Sequence, residues 1–187
     1  MESLVSVILA AGKGKRMKSA KLKVFHKVMG KTVLERAFDA CHLKNSSVIC
    51  VIPEGQEEIF KKVLPQNTSF CVQKEQKGTG DAVKSALSLI TEKKAKEVLV
   101  LPGDMPLLTK ASIQKLVSFH RKKRNAITVL TSLAHNPKQY GRIIRSSTSN
   151  EVTAIVEDKD LAQDQKNIEE INTGVYMFDS KVLKECL

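Results

Sequence analysis

Tryptophan is absent from these 187 residues, which contain two tyrosines and six phenylalanines. So few rings leave little for stacking on nucleobases, and no recognised nucleic-acid motif accompanies them, so no nucleic-acid partner is expected. The four cysteines, Cys41, Cys50, Cys71 and Cys186, are scattered with no Cys-x-x-Cys spacing. That argues against a disulfide framework and against a structural zinc site. The four histidines are equally dispersed and do not read as metal ligands. No apolar run approaches ~18 residues, which excludes a transmembrane helix and a membrane partner of that kind. The first residues carry no basic stretch leading into an apolar one, so no secretory signal is visible. Reduced cysteines without an export signal give a cytoplasmic expectation.

Acidic residues are missing from one segment. Between Lys13 and Lys31 there are eight Lys or Arg and no Asp or Glu, within a chain of net charge +11. A basic excess implies an anionic partner: nucleic acid, a lipid surface or a phosphorylated small molecule. A second basic run, Arg121 to Arg124, ends a helical pattern and reads as a solvated helix C-terminus with a favourable dipole. Hydrophobic residues at 42% and charged residues at 27% give ordinary globular composition, and the length suits a single domain over 1–187.

Leu4 to Leu9 is a short apolar run suited to a buried strand. Residues 10–31 read as a long loop, the kind that is usually functional in a compact domain. Thr32 and Glu35 form a capping box for a helix with Val33, Leu34, Ala37, Phe38 and Cys41 inward. Further strands are expected over 47–52, 69–73, 98–101 and 126–133, and helices over 56–64, 81–90 and 112–124. In the helix over 56–64, Ile59, Phe60 and Val63 share the inward face. Alternation of apolar strands with helices implies an α/β fold with a parallel sheet covered on both faces. After about residue 135 the pattern changes. Strands over 142–145, 152–156 and 171–178 follow with no long helix between them, as antiparallel additions to the core.

Ligands in such sheets bind where strands end, near the switch in strand order. Three loops stand there. Leu9-Ala10-Ala11-Gly12-Lys13-Gly14-Lys15-Arg16-Met17 offers close backbone approach, N–H groups for an anion and a bidentate phosphate donor in Arg16. It lacks the third glycine of a dinucleotide fingerprint and the Gly-Lys-Ser/Thr of a P-loop. A basic surface loop would account for it as well. Gln73 ends a strand before Gly78-Thr79-Gly80, and its amide suits a nucleobase edge. A capped glycine turn is the plainer alternative. Asp104, in Pro102-Gly103-Asp104-Met105-Pro106-Leu107, follows a buried strand and could hold Mg²⁺ in phosphate chemistry, or simply form a Pro-Gly turn.

Taken in order, these residues resemble a known family. The segments are 9–17, Lys23-Val24 with His26, Gly30-Lys31, Gln73 with 78–80, 102–107, Tyr140-Gly141-Arg142-Ile143, 155–160 and Glu170-Ile171-Asn172-Thr173-Gly174. They resemble the uridyltransferase domain of the bacterial bifunctional N-acetylglucosamine-1-phosphate uridyltransferase/glucosamine-1-phosphate acetyltransferases, and more broadly the sugar-nucleotide pyrophosphorylases. The last three segments are specific to the N-acetylglucosamine branch.

The resemblance implies a Rossmann-like, doubly wound, mostly parallel sheet of the nucleotide-diphospho-sugar transferase type. It implies Mg²⁺-dependent uridylyl transfer from UTP to N-acetylglucosamine-1-phosphate, in cell-wall precursor synthesis. By position, Arg16 and Lys23 would be catalytic and hold the triphosphate. Ala10, Ala11, Gly12 and Gln73 would hold uracil, with Gly78 and Thr79 beside it and Leu9, Gly14 and Gly103 completing the nucleotide site. Asp104 would bind Mg²⁺, and Gly141, Glu157 and Asn172 the N-acetylglucosamine moiety. A pyrophosphorylase for another sugar phosphate and a weakly catalytic nucleotide-sugar-binding domain are the alternatives. Lys15 stands where the family usually has Thr, Leu22 where Pro precedes the catalytic Lys, and Asp81 where many members have His. The family's domain runs about 40 residues further, with a second Mg²⁺ ligand, and an acetyltransferase half that carries the oligomer contacts. The chain ends inside a helical pattern, so the expectation is a domain incomplete at its C-terminus, with any homo-oligomer made through the absent half.

Overall fold

The structure is a computed structural model and describes residues 4–12, 14, 19, 21–149 and 151–187. It divides into two compact units, one of residues 1–128 with 176–187, the other of residues 129–175.

The first unit is built on four parallel strands, β1 (Leu4–Leu9), β4 (Ser46–Pro53), β5 (Ser69–Gln73) and β6 (Glu97–Pro102). Their order is β5-β4-β1-β6, and the end of β10 (Glu170–Asp179) adds antiparallel to β6. β1 reads LVSVIL because both of its faces are covered. Its one polar side chain, Ser6, is fully buried and donates to the Cys41 carbonyl at 3.1 Å. Each aliphatic side chain fully buried in these strands contributes about 1.5–3 kcal/mol. This is the expected α/β fold with a mostly parallel sheet.

α1 (Val33–Cys41) starts on the expected capping box: Thr32 Oγ1 accepts from the Glu35 N–H at 3.1 Å, and Glu35 accepts from the Thr32 N–H at 2.6 Å. The Thr32 hydroxyl, which donates to Glu35 Oε2 at 2.7 Å, and then the Thr32 N–H favour the ionised carboxylate and hold the Glu35 pKa below its usual range. α2 (Glu57–Val63) follows, but Ile59 is not inward as expected; it is 43% exposed. Phe60 and Leu64, four apart, define the buried face, and Phe60 packs on Phe25 with ring centroids 4.7 Å apart.

The segment before α1 is also more structured than a plain loop. It holds a 3-10 turn (Lys23–Phe25) and a hairpin of β2 (Lys27–Val28) and β3 (Lys31–Thr32). Met29 and Gly30, with φ of 48° and 83°, make its turn, and Arg36 ties it down through the carbonyls of Val28 at 2.8 Å and Met29 at 3.2 Å. The single helix expected over 81–90 is broken into α3 (Thr79–Ser85) and α4 (Leu87–Glu92). Ser85 Oγ donates back to the Asp81 carbonyl at 3.0 Å, a bond that bends helices, and the Ala86 N–H goes to Val83 instead of continuing the ladder. α5 (Lys110–Lys123) is capped by Thr109 and ends in His120, Arg121, Lys122 and Lys123, followed by the left-handed Arg124. α6 (Ser180–Glu185) follows β10.

The second unit carries the expected antiparallel additions. β8 (Arg142–Arg145) pairs with β9 (Val152–Val156), and Ile171 of β10 pairs with Arg142 of β8. β7 (Ile127–Leu133) pairs with β10. Two 3-10 turns, 158–160 and 163–167, link β9 to β10. Among the described residues no helix is long and apolar enough to cross a membrane.

Candidate active site

Parallel register brings three strand ends to one edge of the first unit. Leu9 is opposite both Val51 and Pro102, and Pro53 is opposite Gln73. β1 is flanked by β4 on one side and β6 on the other, so the order reverses beside it. This is the switch position where ligands sit in such sheets.

The chain that leaves β1 is anchored at once. The Ala10 N–H donates to the Val51 carbonyl at 2.9 Å, and Ala10 and Ala11 are buried. The Leu9 carbonyl accepts from the Gly103 N–H at 2.9 Å, which ties the first loop to the third. Gly103 is required by this approach, since a Cβ there would lie 3.1 Å from Leu9 O and 3.3 Å from Ala10 Cβ. Gly12 and Gly14 both lie against Lys23: a Cβ at Gly12 would be in ordinary contact with Lys23 Cε at 3.4 Å, whereas one at Gly14 would crowd Lys23 Cβ at 3.0 Å. Gly14 also has φ of 60°, the left-handed region.

Lys23 Nζ meets Asp104 Oδ2 at 2.5 Å. A cation and a carboxylate from the first and third loops therefore share one place. Asp104 presents a hard oxygen donor that is partly exposed. This fits an Mg²⁺ completed by phosphate oxygens and water better than a cage of protein ligands. No cluster of three metal-ligating side chains occurs among the described residues. Arg16, expected to be catalytic, lies outside the described residues.

The second loop joins the same edge. Gln73 is 5% exposed at the end of β5, and its Nε2 donates to Asp81 Oδ2 at 2.7 Å and to the Gly78 carbonyl at 3.3 Å. Gly78 has φ of 123° and precedes α3, and Thr79 is exposed beside it. Gln76 Nε2 donates to the Ala11 carbonyl at 2.6 Å, a bond across 65 residues that fastens the second loop to the first. The sequence reading missed Gln76. A long amide in a glycine loop was its only visible signal.

The expected sugar residues lie in the second unit. The Asn172 N–H donates to the Gly141 carbonyl at 2.8 Å. A Cβ at Gly141 would stand 3.5 Å from Glu157 Oε1 and 3.7 Å from Asn172 Cβ, so the three residues form one cluster. Asn172 Oδ1 accepts from the Gly174 N–H at 2.9 Å, and Glu157 is exposed. Arg142 is buried beneath, bonded to the carbonyls of Tyr140 and Ile168 and to Asp158 Oδ1.

None of the three thiols in or beside the sheet offers a nucleophile. Burial pushes Cys41 up to about 12, raises Cys50 well above the ordinary thiol value, and pushes the half-buried Cys71 up to about 11. A cleft lined by Phe38, His42, Ser46 and Asn67 lies at the N-terminal end of β4, away from these loops.

Residues 5–187 match the nucleotidyl transferase family. The chain belongs to that family. It is 44% identical over its whole length to the bifunctional protein GlmU of Thermoanaerobacter pseudethanolicus and covers 40% of that protein. It is 45% identical over its whole length to the GlmU of Lactobacillus helveticus, again covering 40%. The chain thus spans about two-fifths of the length of these curated relatives. A crystal structure described as a candidate glucose-1-phosphate thymidylyltransferase from Bacillus anthracis, in complex with a sucrose, superposes with a TM-score of 0.72 at 16% identity. It covers 97% of this chain and 73% of that one. At that identity the likeness concerns the nucleotidyl transferase fold alone.

Proposed function

We propose that this nucleotidyl transferase moves a uridylyl group from UTP to N-acetylglucosamine-1-phosphate. A phosphate oxygen of the sugar phosphate attacks the α-phosphorus, the bond to the β-phosphate breaks, and pyrophosphate leaves. The acceptor oxygen is already ionised, so the protein's tasks are positioning and charge neutralisation. The observation that carries this reading is the meeting of Lys23 and Asp104 at 2.5 Å, where loops from adjacent strand ends are bonded together.

Lys23 and Arg16 would neutralise charge that grows on the triphosphate. Asp104 would hold Mg²⁺, which when bound supplies further neutralisation of the same phosphates. The backbone of residues 9–12, with Gly14 and Gly103, would approach the nucleotide, and Gln73, Gly78 and Thr79 would lie along uracil. In the second unit, Gly141 would leave room for the sugar, while Glu157 and Asn172 would accept and donate hydrogen bonds to its hydroxyl and acetamido groups.

The test measures pyrophosphate release from UTP and the sugar phosphate beside calorimetric binding of UDP-N-acetylglucosamine. Turnover that Lys23→Ala reduces by roughly 10²–10⁴-fold, with binding much less affected, is the expected result. Binding without any pyrophosphate release by the unaltered chain would leave a nucleotide-sugar-binding domain instead.

A further inference from the structure

Two acceptors orient the Gln73 amide. Its Nε2 donates to Asp81 Oδ2 at 2.7 Å and to the Gly78 carbonyl at 3.3 Å. A carboxylate and a carbonyl accept and do not donate, so only the amide's NH₂ end can face them. Oε1 is the hydrogen-bonding atom that remains. Gln73 is buried at the end of β5, and Asp81 is held on α3, so neither side chain swings freely. Gly78 alone could not fix this orientation firmly, because its bond to Nε2 is the longer of the two and its loop is exposed.

We infer that Asp81 sets the base preference of this site by locking Gln73 as an acceptor. The inference rests on the proposed reading of 73–79 as the base pocket. An acceptor there matches a pyrimidine whose ring nitrogen carries hydrogen, the imide edge of uracil. Cytosine presents a lone pair at the same ring position, so two acceptors would face one another and both would be left unpaired. Such a mismatch at a buried polar group discriminates far more strongly than a change in apolar fit. Asp81 acts through Gln73 and is a positioning residue.

Without Asp81 the amide can turn over and offer NH₂ to either base. Asn at position 81 keeps an acceptor oxygen but can also present its own NH₂ to Gln73 Oε1, so it holds the orientation less strictly. The experiment measures kcat and KM for UTP and for CTP, and calorimetric binding of each nucleotide, in the unaltered chain, Asp81→Ala and Asp81→Asn. Thermal unfolding of each is recorded alongside.

The expected result is a fall of roughly tenfold or more in the UTP to CTP ratio of kcat/KM for Asp81→Ala, carried by weaker UTP and stronger CTP. Asp81→Asn falls between, and it decides the matter if the Ala variant does not fold. A merely structural role would weaken both nucleotides together. An unchanged ratio in the folded variants, or an equal loss for both nucleotides, overturns the assignment while leaving uridylyl transfer intact. An unaltered chain that binds neither UTP nor CTP overturns the reading of the pocket itself, and the assignment with it.

Discussion

Lys23 and Asp104 are 81 residues apart in the chain and 2.5 Å apart in space. Both are partly exposed, so solvent screens the pair and its contribution to stability is small. Its importance lies in placement. On the proposed reading, each group keeps a partner until a ligand supplies another, and neither would have to travel to meet a triphosphate. Gly103 fixes that placement from below. A Cβ at this position would press on Leu9 O at 3.1 Å and Ile8 Cγ2 at 3.2 Å, and neither belongs to a flexible side-chain end. Gly103→Ala should therefore part the ends of β1 and β6 and shift Asp104 away from Lys23. We expect a loss of about 1–3 kcal/mol in denaturant unfolding and a drop in turnover larger than the loss in stability alone would give. Unchanged turnover in a destabilised variant would show that the two strand ends are not what aligns the pair.

Elements were legible wherever a local pattern controls them. Val152–Val156, Ser69–Gln73 and the capping box at Thr32 stand where the sequence puts them, because alternation, terminators and caps act within a few residues. The break at Ala86 was hidden because no Gly or Pro marks it; a serine back-bond to Asp81 makes it. The hairpin at Lys27–Thr32 depends on Arg36, eight residues beyond Val28. In the site, strand ends and glycines could be read, but the Gln76 to Ala11 bond spans 65 residues and leaves no local trace.

α5 shows two local rules in conflict. A helix C-terminus favours a cation, yet His120 is buried there, with Nδ1 2.8 Å from Thr128 Oγ1. Burial lowers its pKa below 6.5, against the pull of Glu97 and Asp179. The unfolded chain then takes up the proton first, so the stability from neutral His120 is present above the unfolded value and is lost as pH falls through the folded one. Denaturant midpoints should drop as pH falls below about 6.5 in the unaltered chain and drop less in His120→Gln. Equal slopes would assign the acid sensitivity to other groups.

On the scale of the whole molecule, the two units are held by different chemistry. In the first, β1, β4 and β6 bury almost every side chain in an aliphatic core that includes Val7, Ile49, Val98 and Val100. In the second, β9 is exposed along nearly its whole length, and Ile143, Ile171 and Val175 are the main buried apolar residues. Polar bonds must supply more of its order, and Arg142 supplies several at once. Its buried guanidinium reaches Ile168 O at 3.0 Å, Asp158 Oδ1 at 2.9 Å and the Tyr140 carbonyl. It thereby fixes three segments that flank Gly141, Glu157 and Asn172. Lysine is a point charge without the planar fork and cannot satisfy three acceptors set at those angles. Arg142→Lys should lower the local opening free energy of the second unit by about 1–3 kcal/mol. Hydrogen exchange should then quicken over 140–145, 152–158 and 168–172, while amides of β1, β4 and β6 keep their protection. Exchange that quickens equally in both units would mean that they open as one cooperative body, and that Arg142 supports the whole chain instead of the segments it touches.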